Sequence, residues 1–237
     1  MANNDECLIC GAGLEYLDKS EKMECAICHR VEKSKTRCVE GHYVCNRCHT
    51  KGMDEIINIC KKTDSKNPVE ILESLMDAEF AHMHGPEHHV MVGSALLTAY
   101  KNAGGDIKLE DALIEMMSRG QDIPGGTCGF WGACGAGISS GMFISIITET
   151  TPLKADTWGL GNKMTAKSLE AIGEIGGPRC CKRTSYTSIL QAIDFVKENF
   201  GIEMEKPEII CSYYPNNNQC IGKRCPYFPA NHKVTGE

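Results

Sequence analysis

Cysteines are the residues whose number and spacing point most directly to chemistry, since the chain contains 15 of them in 237 residues. Eight precede residue 62, and the other seven lie between residues 128 and 225. An odd number of thiols cannot be fully paired in disulfides within one chain. In a reducing compartment, cysteines separated by two residues are typical of metal sites or redox dithiols. The two groups therefore predict two separate metal or thiol chemistries.

The first group has the spacing of zinc ligands. Tetrahedral zinc takes four thiolate or imidazole ligands, and a tight turn with two cysteines three positions apart supplies two of them. Two such sites would supply the folding energy of a segment that is too short for a large apolar core. The predicted zinc ligands are Cys7, Cys10, Cys25, Cys28, Cys38, His42, Cys45 and Cys48.

The order of these ligands resembles a RING-type or treble-clef zinc finger over residues 7–48. The spacing from Cys25 onward is similar to the first six ligands of a RING, but the last cysteine pair of that family does not follow. The first pair of this chain can take its place. A cross-braced finger then has one site at Cys25, Cys28, Cys45 and Cys48 and the other at Cys7, Cys10, Cys38 and His42. A sequential finger has one site at Cys7, Cys10, Cys25 and Cys28 and the other at Cys38, His42, Cys45 and Cys48.

Three residues near the finger fall outside this ligand pattern. His29 and His49 each directly follow a cysteine pair, and we expect both to face solvent. Cys60 lies in an apolar run, where a thiol behaves as a small hydrophobic side chain. We therefore predict that Cys60 is packed in a core and is not a ligand.

A cluster of histidines occupies residues 82–89, which read His-Met-His-Gly-Pro-Glu-His-His. The Gly-Pro pair interrupts the helical pattern and predicts a turn between two helices. Imidazoles and a carboxylate gathered at such a turn can bind a metal ion or exchange protons near neutral pH. The plainer interpretation is surface histidines with a carboxylate that stabilises the positive end of a helix. We predict a metal or acid–base site formed by His84, Glu87 and His88.

The second group of cysteines lies in glycine-rich segments and in a loop tail. Cys128 and Cys134 lead into one helix, and Cys180 and Cys181 lead into another. A helix N-terminus lowers the pKa of a thiol and attracts anions. The predicted cofactor ligands are Cys128, Cys134, Cys180, Cys181, Cys211, Cys220 and Cys225, and Cys128 and Cys134 are also predicted to be catalytic.

Three kinds of site fit these seven thiols. The first is an iron–sulfur cluster, such as [4Fe–4S], held by four of them; the Cys-Pro pair at residues 225–226 is similar to ferredoxin-type ligation. The second is a thiol redox or sulfur-transfer site. The third is a further structural zinc site at the last three cysteines. Beside them, the cations of Arg179, Lys182 and Arg183 can bind an anionic small-molecule substrate.

The elements that must position these residues are predicted to be mostly helical. A polar linker ends at Asn67 and Pro68, which suit the N-cap and the first position of a helix. Apolar spacing predicts helices over residues 68–83, 86–102, 109–118, 132–147, 163–175 and 184–200, with one short strand over 208–211. We therefore expect a mainly α protein, with a two-zinc finger domain at residues 1–62 and a helical domain with cysteine-rich loops at residues 63–237.

Composition excludes several classes of protein. The net charge is -6 and aromatic residues make up 6% of the chain, which argues against a protein that coats nucleic acid. No apolar run is long enough for a membrane span, and the N-terminus has no basic and apolar segments typical of a signal peptide. We expect a cytoplasmic protein whose zinc module binds a protein partner, and neither a membrane nor nucleic acid.

Four motifs together resemble a prokaryotic family of Cys- and His-rich domains of unknown function. They are His-Gly-Pro-Glu-His-His at 84–89, Pro-Gly-Gly-Thr-Cys-Gly-Phe-Trp-Gly-Ala-Cys-Gly at 124–135, Arg-Cys-Cys-Lys-Arg-Thr at 179–184 and Asn-Asn-Gln-Cys-Ile-Gly-Lys-Arg-Cys-Pro at 217–226. The resemblance covers residues 64–237. It implies a setting in anaerobic archaea and bacteria, where some relatives are joined to methyltransferase domains, and it assigns no reaction.

Two functions follow as expectations. The first is a metalloprotein of anaerobic metabolism, an iron–sulfur or thiol-based enzyme or enzyme subunit for redox, sulfur or methyl transfer. The alternative is a zinc-finger scaffold that binds a protein or senses a small molecule without catalysis. The sequence leaves open whether the chain is an enzyme.

Overall fold

The computed structural model of the protein describes residues 7–232, and it is mainly α-helical. The described part has a two-stranded sheet near its start, followed by helices. The strands are β1 (Leu14–Glu24) and β2 (Val31–Cys38). The helices are α1 (Asn46–His49), α2 (Glu55–Lys61), α3 (Pro68–Met76), α4 (His88–Asn102), α5 (Leu109–Gln121), α6 (Thr127–Phe130), α7 (Gly135–Ile147), α8 (Ala155–Ile175) and α9 (Cys181–Phe200). Three short 3₁₀ turns follow, at Tyr214–Asn216, Gly222–Arg224 and Pro229–Asn231.

The finger, residues 7–49, is built around an antiparallel hairpin that the sequence did not predict. β1 and β2 pair from Leu14↔Cys38 to Glu24↔Val31, with a register irregularity between Tyr16 and Glu21. Almost all of their side chains are at least partly exposed. These strands therefore lack the regular apolar alternation by which a half-buried strand is recognised. Their pairing brings the metal-binding turns at the two ends of the hairpin into position.

The core of the helical part is centred on α4, in which every residue from His88 to Tyr100 is buried. A helix buried on all sides needs neighbours all round it, and α3, α5, α7 and α9 supply them. Small residues allow the closest approaches. A side chain at Gly93 would collide with the end of Met116, and one at Gly141 would collide with Thr165 on α8.

The helical core begins before the boundary at residue 62 that the sequence suggests. Met53, Ile56 and Cys60 are all buried in the same apolar cluster as α3 and α4. The prediction that Cys60 is a packed thiol is confirmed, since it is fully buried and its Sγ lies 3.9 Å from the Ser94 carbonyl oxygen. The division into two domains stays a prediction, with α2 on the helical side of it.

Several element boundaries differ from those that the sequence predicts. The Asn67 N-cap is confirmed, because its side chain accepts hydrogen bonds from the backbone N–H groups of Val69 and Glu70. The helix that follows ends at Met76 and not at residue 83, whereas α8 and α9 begin earlier than predicted. The strand predicted at 208–211 is wrong: that segment is irregular, and Cys211 N–H donates a single hydrogen bond to the Tyr227 carbonyl. No helix in residues 7–232 is long and apolar enough to cross a lipid bilayer.

Candidate metal centres

The finger gathers its eight predicted ligands into two groups. Within each group, the ligand atoms all lie within 4.8 Å of one another. The grouping is the cross-braced one and not the sequential one, because each site combines turns from both ends of the hairpin. One group is Cys7, Cys10, Cys38 and His42, and the other is Cys25, Cys28, Cys45 and Cys48.

Backbone N–H groups point at two of the finger thiols and favour their ionised form. The N–H of Cys45 donates to Cys25 Sγ at 3.4 Å, and the N–H of His42 donates to Cys38 Sγ at 3.2 Å. Burial alone would raise the pKa of Cys25, but these backbone donors outweigh it and lower the pKa to about 6. The pKa of Cys38 is lowered in the same way to about 7. Since the thiolate is the form that binds metal, both groups fit a tetrahedral ion such as zinc.

A second constellation lines a small cavity between the start of α9 and the C-terminal tail. The cavity is small, with a volume of about 20 Å³. Aromatic rings and two cations complete its wall. We call it the four-thiol cavity; its thiols are Cys180, Cys211, Cys220 and Cys225.

Local hydrogen bonds hold three of these four cysteines in place. Cys180 is the N-cap of α9, and its Sγ accepts from the N–H of Arg183 at 3.4 Å. In the tail, Cys220 N–H donates to the Asn217 carbonyl, and Cys225 N–H donates to the Gly222 carbonyl. Short turns therefore present the tail thiols to the helix N-terminus.

The four thiols are more widely spaced than those of the finger. In the described part of the chain, only the two finger groups bring three or more ligand atoms within 4.8 Å of one another, so no three of these four thiols do. Burial raises the pKa of Cys211 to about 11 and also raises those of Cys180 and Cys225. A positive group beside Cys180, Cys211 and Cys225 would favour their ionised form.

Lys182 is a buried cation in the wall of the four-thiol cavity. Its side chain is fully buried, and its Nζ has no hydrogen-bond partner within residues 7–232. The ammonium lies 4.7 Å from the centre of the Tyr213 ring, and burial lowers its pKa to about 8. Arg183, by contrast, donates to the carbonyls of Gly176 and Pro178 at 2.8 and 2.6 Å. A buried ammonium without an acceptor is costly, so an anion in this cavity would stabilise it.

Glu87 lies at the centre of the histidine cluster and is completely buried. Its Oε1 accepts from the N–H of His82 at 3.0 Å and lies 3.5 Å from Nδ1 of His88. Its Oε2 lies 3.3 Å from Nδ1 of His49. Burial opposes ionisation, but these neighbours outweigh it and hold the pKa of Glu87 well below its usual value. The side chain does not cap α4, contrary to the plainer interpretation of the sequence.

His49 differs from the expectation that it faces solvent. Only 21% of its side chain is exposed, and the imidazole reaches Glu87 from the finger. His29, by contrast, is exposed as predicted. The finger and the helical part therefore meet at a buried carboxylate, a contact that no local sequence pattern indicates.

His84 is separated from the other two residues of its predicted trio. Its Nδ1 accepts from the N–H of Cys181 at 3.2 Å, which places the ring proton on Nε2. Nε2 then faces Oδ1 of Asn217 at 3.4 Å, and the Asn217 amide nitrogen donates to Cys180 Sγ at 3.4 Å. His84 thus links the two neighbouring cysteines at the start of α9, while Glu87 and His88 contact each other.

The remaining three thiols of the second group do not line the cavity. Cys128 lies in α6, Cys134 is the N-cap of α7, and Cys181 is the first residue of α9. The aromatic residues next to cysteines of the second group in the sequence also lie in different places. Tyr213 and Tyr214 line the cavity, whereas Phe130 and Trp131 lie largely exposed beside Cys128.

The sequence reasoning missed two residues that shape the cavity. The side-chain amide of Asn217 donates to Cys180 Sγ. The only hint of this role in the sequence was its position three residues before Cys220, within one of the four motifs. Tyr227 closes another side, where its hydroxyl lies 3.0 Å from that of Thr187 on α9. Tyr227 lies two residues after Cys225, and nothing in the sequence distinguished it from an aromatic residue of the core.

Comparison with known proteins matches the chain to a protein family. No curated protein and no solved structure matches the chain. A family described as a family of unknown function (DUF5714) matches residues 56–228. The matched range begins in α2 and contains the histidine cluster and all seven cysteines of the second group, while both finger groups precede it. The chain therefore belongs to the family of unknown function DUF5714.

Proposed function

We propose that this protein is an iron–sulfur protein whose four-thiol cavity holds a [4Fe–4S] cluster that carries single electrons. The observation that carries this proposal is the convergence of four cysteines and one buried, unpartnered ammonium on a single cavity. Four thiolates are the usual ligands of such a cluster. The cysteines come from a helix start and from a loop tail, so they meet only in the folded chain.

The spacing and the charge of the cavity both support a cluster over a single ion. A cluster binds each thiolate at a different iron, so its ligands are farther apart than those of one tetrahedral zinc. A four-iron cluster with four thiolate ligands is an anion. The ammonium of Lys182, which has no hydrogen-bond acceptor in the described part of the chain, then gains an anionic partner, and its charge stabilises the more negative, reduced state of the cluster.

The walls of the cavity suit electron transfer better than direct contact with a substrate. The rings of Tyr186, Tyr213, Tyr227 and Phe228 enclose it. Hydrogen bonds to cluster sulfurs and exclusion of water set the potential of such centres. The cluster takes one electron from a reduced one-electron carrier, which is thereby oxidised, and passes it on without making or breaking a bond.

The finger is proposed to hold two zinc ions and to act structurally. Closed four-ligand sites leave no position for a substrate, and the finger contacts the helical part through several side chains. Asn46 Oδ1 accepts from the N–H of Gly125 at 3.3 Å, and the rings of Tyr16 and Phe130 meet edge to face. Zinc in the finger therefore stabilises the surface of the helical part that it covers.

A second candidate function is docking of a protein partner by the finger. The apolar side chains of its metal-binding turns are exposed, which favours contact with another protein. These side chains are Leu8, Ile9, Ile27 and Val39. Deletion of residues 1–49 then abolishes partner binding while the iron content of the remaining chain is retained.

The test of the cluster is metal and sulfide analysis of protein prepared without oxygen. We expect the double variant C220S/C225S to lose about four irons and four sulfides relative to the unaltered protein, together with the corresponding visible absorbance. The matched control is Cys60→Ala, which changes a packed thiol outside the cavity and leaves the iron content unchanged. Iron content that does not fall in C220S/C225S would contradict the proposal.

A further inference from the structure

A groove between α7 and α8 has no lining residue in common with the four-thiol cavity. Its volume is about 520 Å³, which lies in the range of small-molecule sites in proteins and is far larger than that of the cavity. One residue of α5 and the connection from α7 to α8 complete its walls. The groove therefore has the size of a binding site for a small organic molecule.

Two helix faces with the same spacing form most of the groove. On α7 the lining residues are Ile138, Gly141, Met142 and Ser145. On α8 they are Trp158, Gly161, Asn162 and Thr165. Positions three and four residues apart lie on one side of a helix, and the two backbones approach closely at the glycines, since a side chain at Gly141 would come within 2.8 Å of the Gly161 carbonyl oxygen. The helices thus meet at small residues, and longer side chains beside them form the walls.

Hydrogen bonds fix the connection between α7 and α8 that borders the groove. The N–H of Thr150 donates to the Ser145 carbonyl at 2.8 Å, and Lys154 Nζ donates to the Thr148 carbonyl at 2.6 Å. The hydroxyls of Thr148 and Thr150 lie 2.8 Å apart. Because this segment is already held in place, a ligand that enters the groove has little of the chain to order.

Arg119 supplies the charge of the groove. Among the lining residues that the structure describes, only Arg119 is charged. Its Nε donates to Glu115 Oε1 at 2.7 Å, and its Nη1 donates to Ser145 Oγ at 3.0 Å. Within residues 7–232, its Nη2 donates no hydrogen bond, so this nitrogen is left for a ligand. Since Glu115 already offsets part of the charge, a group with one negative charge suits this site better than a phosphate with two.

Trp158 gives the same groove a flat apolar surface. It is 54% exposed, although an indole of this size is usually well covered. Aromatic rings stack on such a surface in an offset or edge-on arrangement. The hydroxyls of Thr151 and Thr165 also line the groove and form no hydrogen bond in the described part of the chain. A cation, a flat ring and free hydroxyls together favour a ligand that combines a flat ring with one acidic group.

We propose that this groove binds a small carboxylate, with its single negative charge at Arg119 and its flat ring on Trp158. A carboxylate oxygen accepts a strong, charge-assisted hydrogen bond from a guanidinium, and threonine hydroxyls donate to the same group. The inference goes beyond the proposed function and does not rest on it, because no cysteine or histidine lines the groove.

A second copy of this chain is the other occupant to be distinguished. Leu153 is 95% exposed and directly follows Pro152 of the groove wall, but it does not itself line the groove. A protein surface seated here would also cover Leu153, whereas a small carboxylate inside the groove leaves it in water. The free guanidinium nitrogen and the polar lining favour the small ligand, and the variant Leu153→Ser separates the two occupants.

The first test measures the binding of benzoate, used as the probe, to the full chain by isothermal titration calorimetry. A ligand of this size binds with a dissociation constant on the order of 1 mM. We expect Arg119→Gln and Trp158→Ala each to weaken binding about tenfold. Benzamide has the same shape without the charge, and we expect it to bind about tenfold more weakly than benzoate.

Two matched variants serve as controls for this test. Lys163→Gln removes an exposed cation of α8 that does not line the groove, and Leu153→Ser changes the apolar residue beside it. We expect the affinity for benzoate to be unchanged in both. Circular dichroism shows that all four variants are folded.

The second test locates the probe by fluorescence. The chain has two tryptophans, so Trp131→Phe leaves Trp158 as the only indole. We expect benzoate to change the emission of Trp158 with the same dissociation constant that calorimetry gives. Emission that stays constant while benzoate binds would place the probe outside the groove and overturn the proposal.

Four further results would overturn the proposed ligand. They are absence of benzoate binding, equal affinity for benzamide, tighter binding of inorganic phosphate than of benzoate, and affinity that is unchanged in both Arg119→Gln and Trp158→Ala. A dimer in sedimentation velocity that is lost in Leu153→Ser would assign the groove to a second copy instead. None of these measurements depends on iron, so they succeed or fail separately from the test of the cluster.

Discussion

The finger and the four-thiol cavity both use four side chains to make a site, but they space those side chains differently. In the finger, the ligand atoms of each group lie within 4.8 Å, and backbone donors lower the pKa of Cys25 to about 6 although burial raises that of Cys48 to about 12. In the cavity, the thiols are farther apart, and burial raises the pKa of Cys211 to about 11. Spacing, more than thiol pKa, therefore distinguishes a site that fits a single small cation from the cavity for which we propose a larger cluster.

Removal of metal from the finger is the change with the largest expected effect. Structural zinc in small fingers contributes on the order of 10 kcal/mol of folding free energy, so we expect a strong chelator to unfold residues 7–49. The buried core around α4 contains no finger ligand and keeps its helices. Hydrogen exchange measured residue by residue reports both regions in one experiment. Protection of β1 and β2 that survives removal of the metal would contradict this difference between the regions.

Acidification tests the buried cluster that joins the two regions. Burial lowers the pKa of His88 to about 4, below its ordinary value of 6.5. Below pH 6.5 the unfolded chain binds the proton more readily, so stability present above pH 6.5 is lost as the pH falls toward 4. For one fully buried histidine the loss is about 3 kcal/mol.

Urea unfolding of the unaltered protein and of His88→Gln across this pH range measures the loss. The variant removes the titrating imidazole, so we expect a smaller decrease in its stability than in that of the unaltered protein. Equal slopes in the two proteins would assign the acid sensitivity to other groups.

Replacement of Lys182 by methionine tests the charge of the four-thiol cavity. The loss of one positive charge beside an anionic cluster destabilises the reduced state, and we expect its potential to fall by roughly 50 mV. Redox titration followed by visible absorbance gives the value. Lys182→Arg retains the charge and serves as the matched control. If the reduction potential is the same in Lys182→Met as in the unaltered protein, the Lys182 ammonium does not act on a cluster in this cavity.

Replacement of Asn217 by alanine gives the smallest expected effect. It removes the hydrogen bond to Cys180 Sγ and the partner of His84. Hydrogen bonds to ligand sulfur raise the potential of iron–sulfur centres, so we expect a decrease of roughly 20 mV. The same titration measures it, and the neighbouring change Asn218→Ala is the control. An equal decrease in both variants would indicate a general effect on the tail.

The finger was the more predictable of the two regions because its ligands are paired by short turns. Two cysteines separated by two residues can be recognised as a metal-binding turn from the sequence alone. The hairpin between them was missed, since β1 and β2 carry polar, largely exposed side chains. The choice between the two groupings of ligands also required the pairing of these strands.

The cavity was predicted only as a set of thiols, because its members meet through tertiary structure. Cys180 and Cys181 are neighbours in the chain, but one is the N-cap of α9 and the other begins its first turn, and only Cys180 lines the cavity. Lys182 was expected to offer its charge to an anion from solvent, yet packing against Tyr213 buries it. Spacing along the chain does not predict which way these side chains point, because that depends on packing against α4 and the tail.

The position of His49 directly after Cys48 couples two equilibria. A contact between His49 and Glu87 that forms only when the finger is folded stabilises the folded core, and by reciprocity the folded core raises the affinity of the finger for its metal by the same factor. With zinc bound to the finger as proposed, a change in the free metal concentration of the surroundings would change the stability of the helical part through this contact.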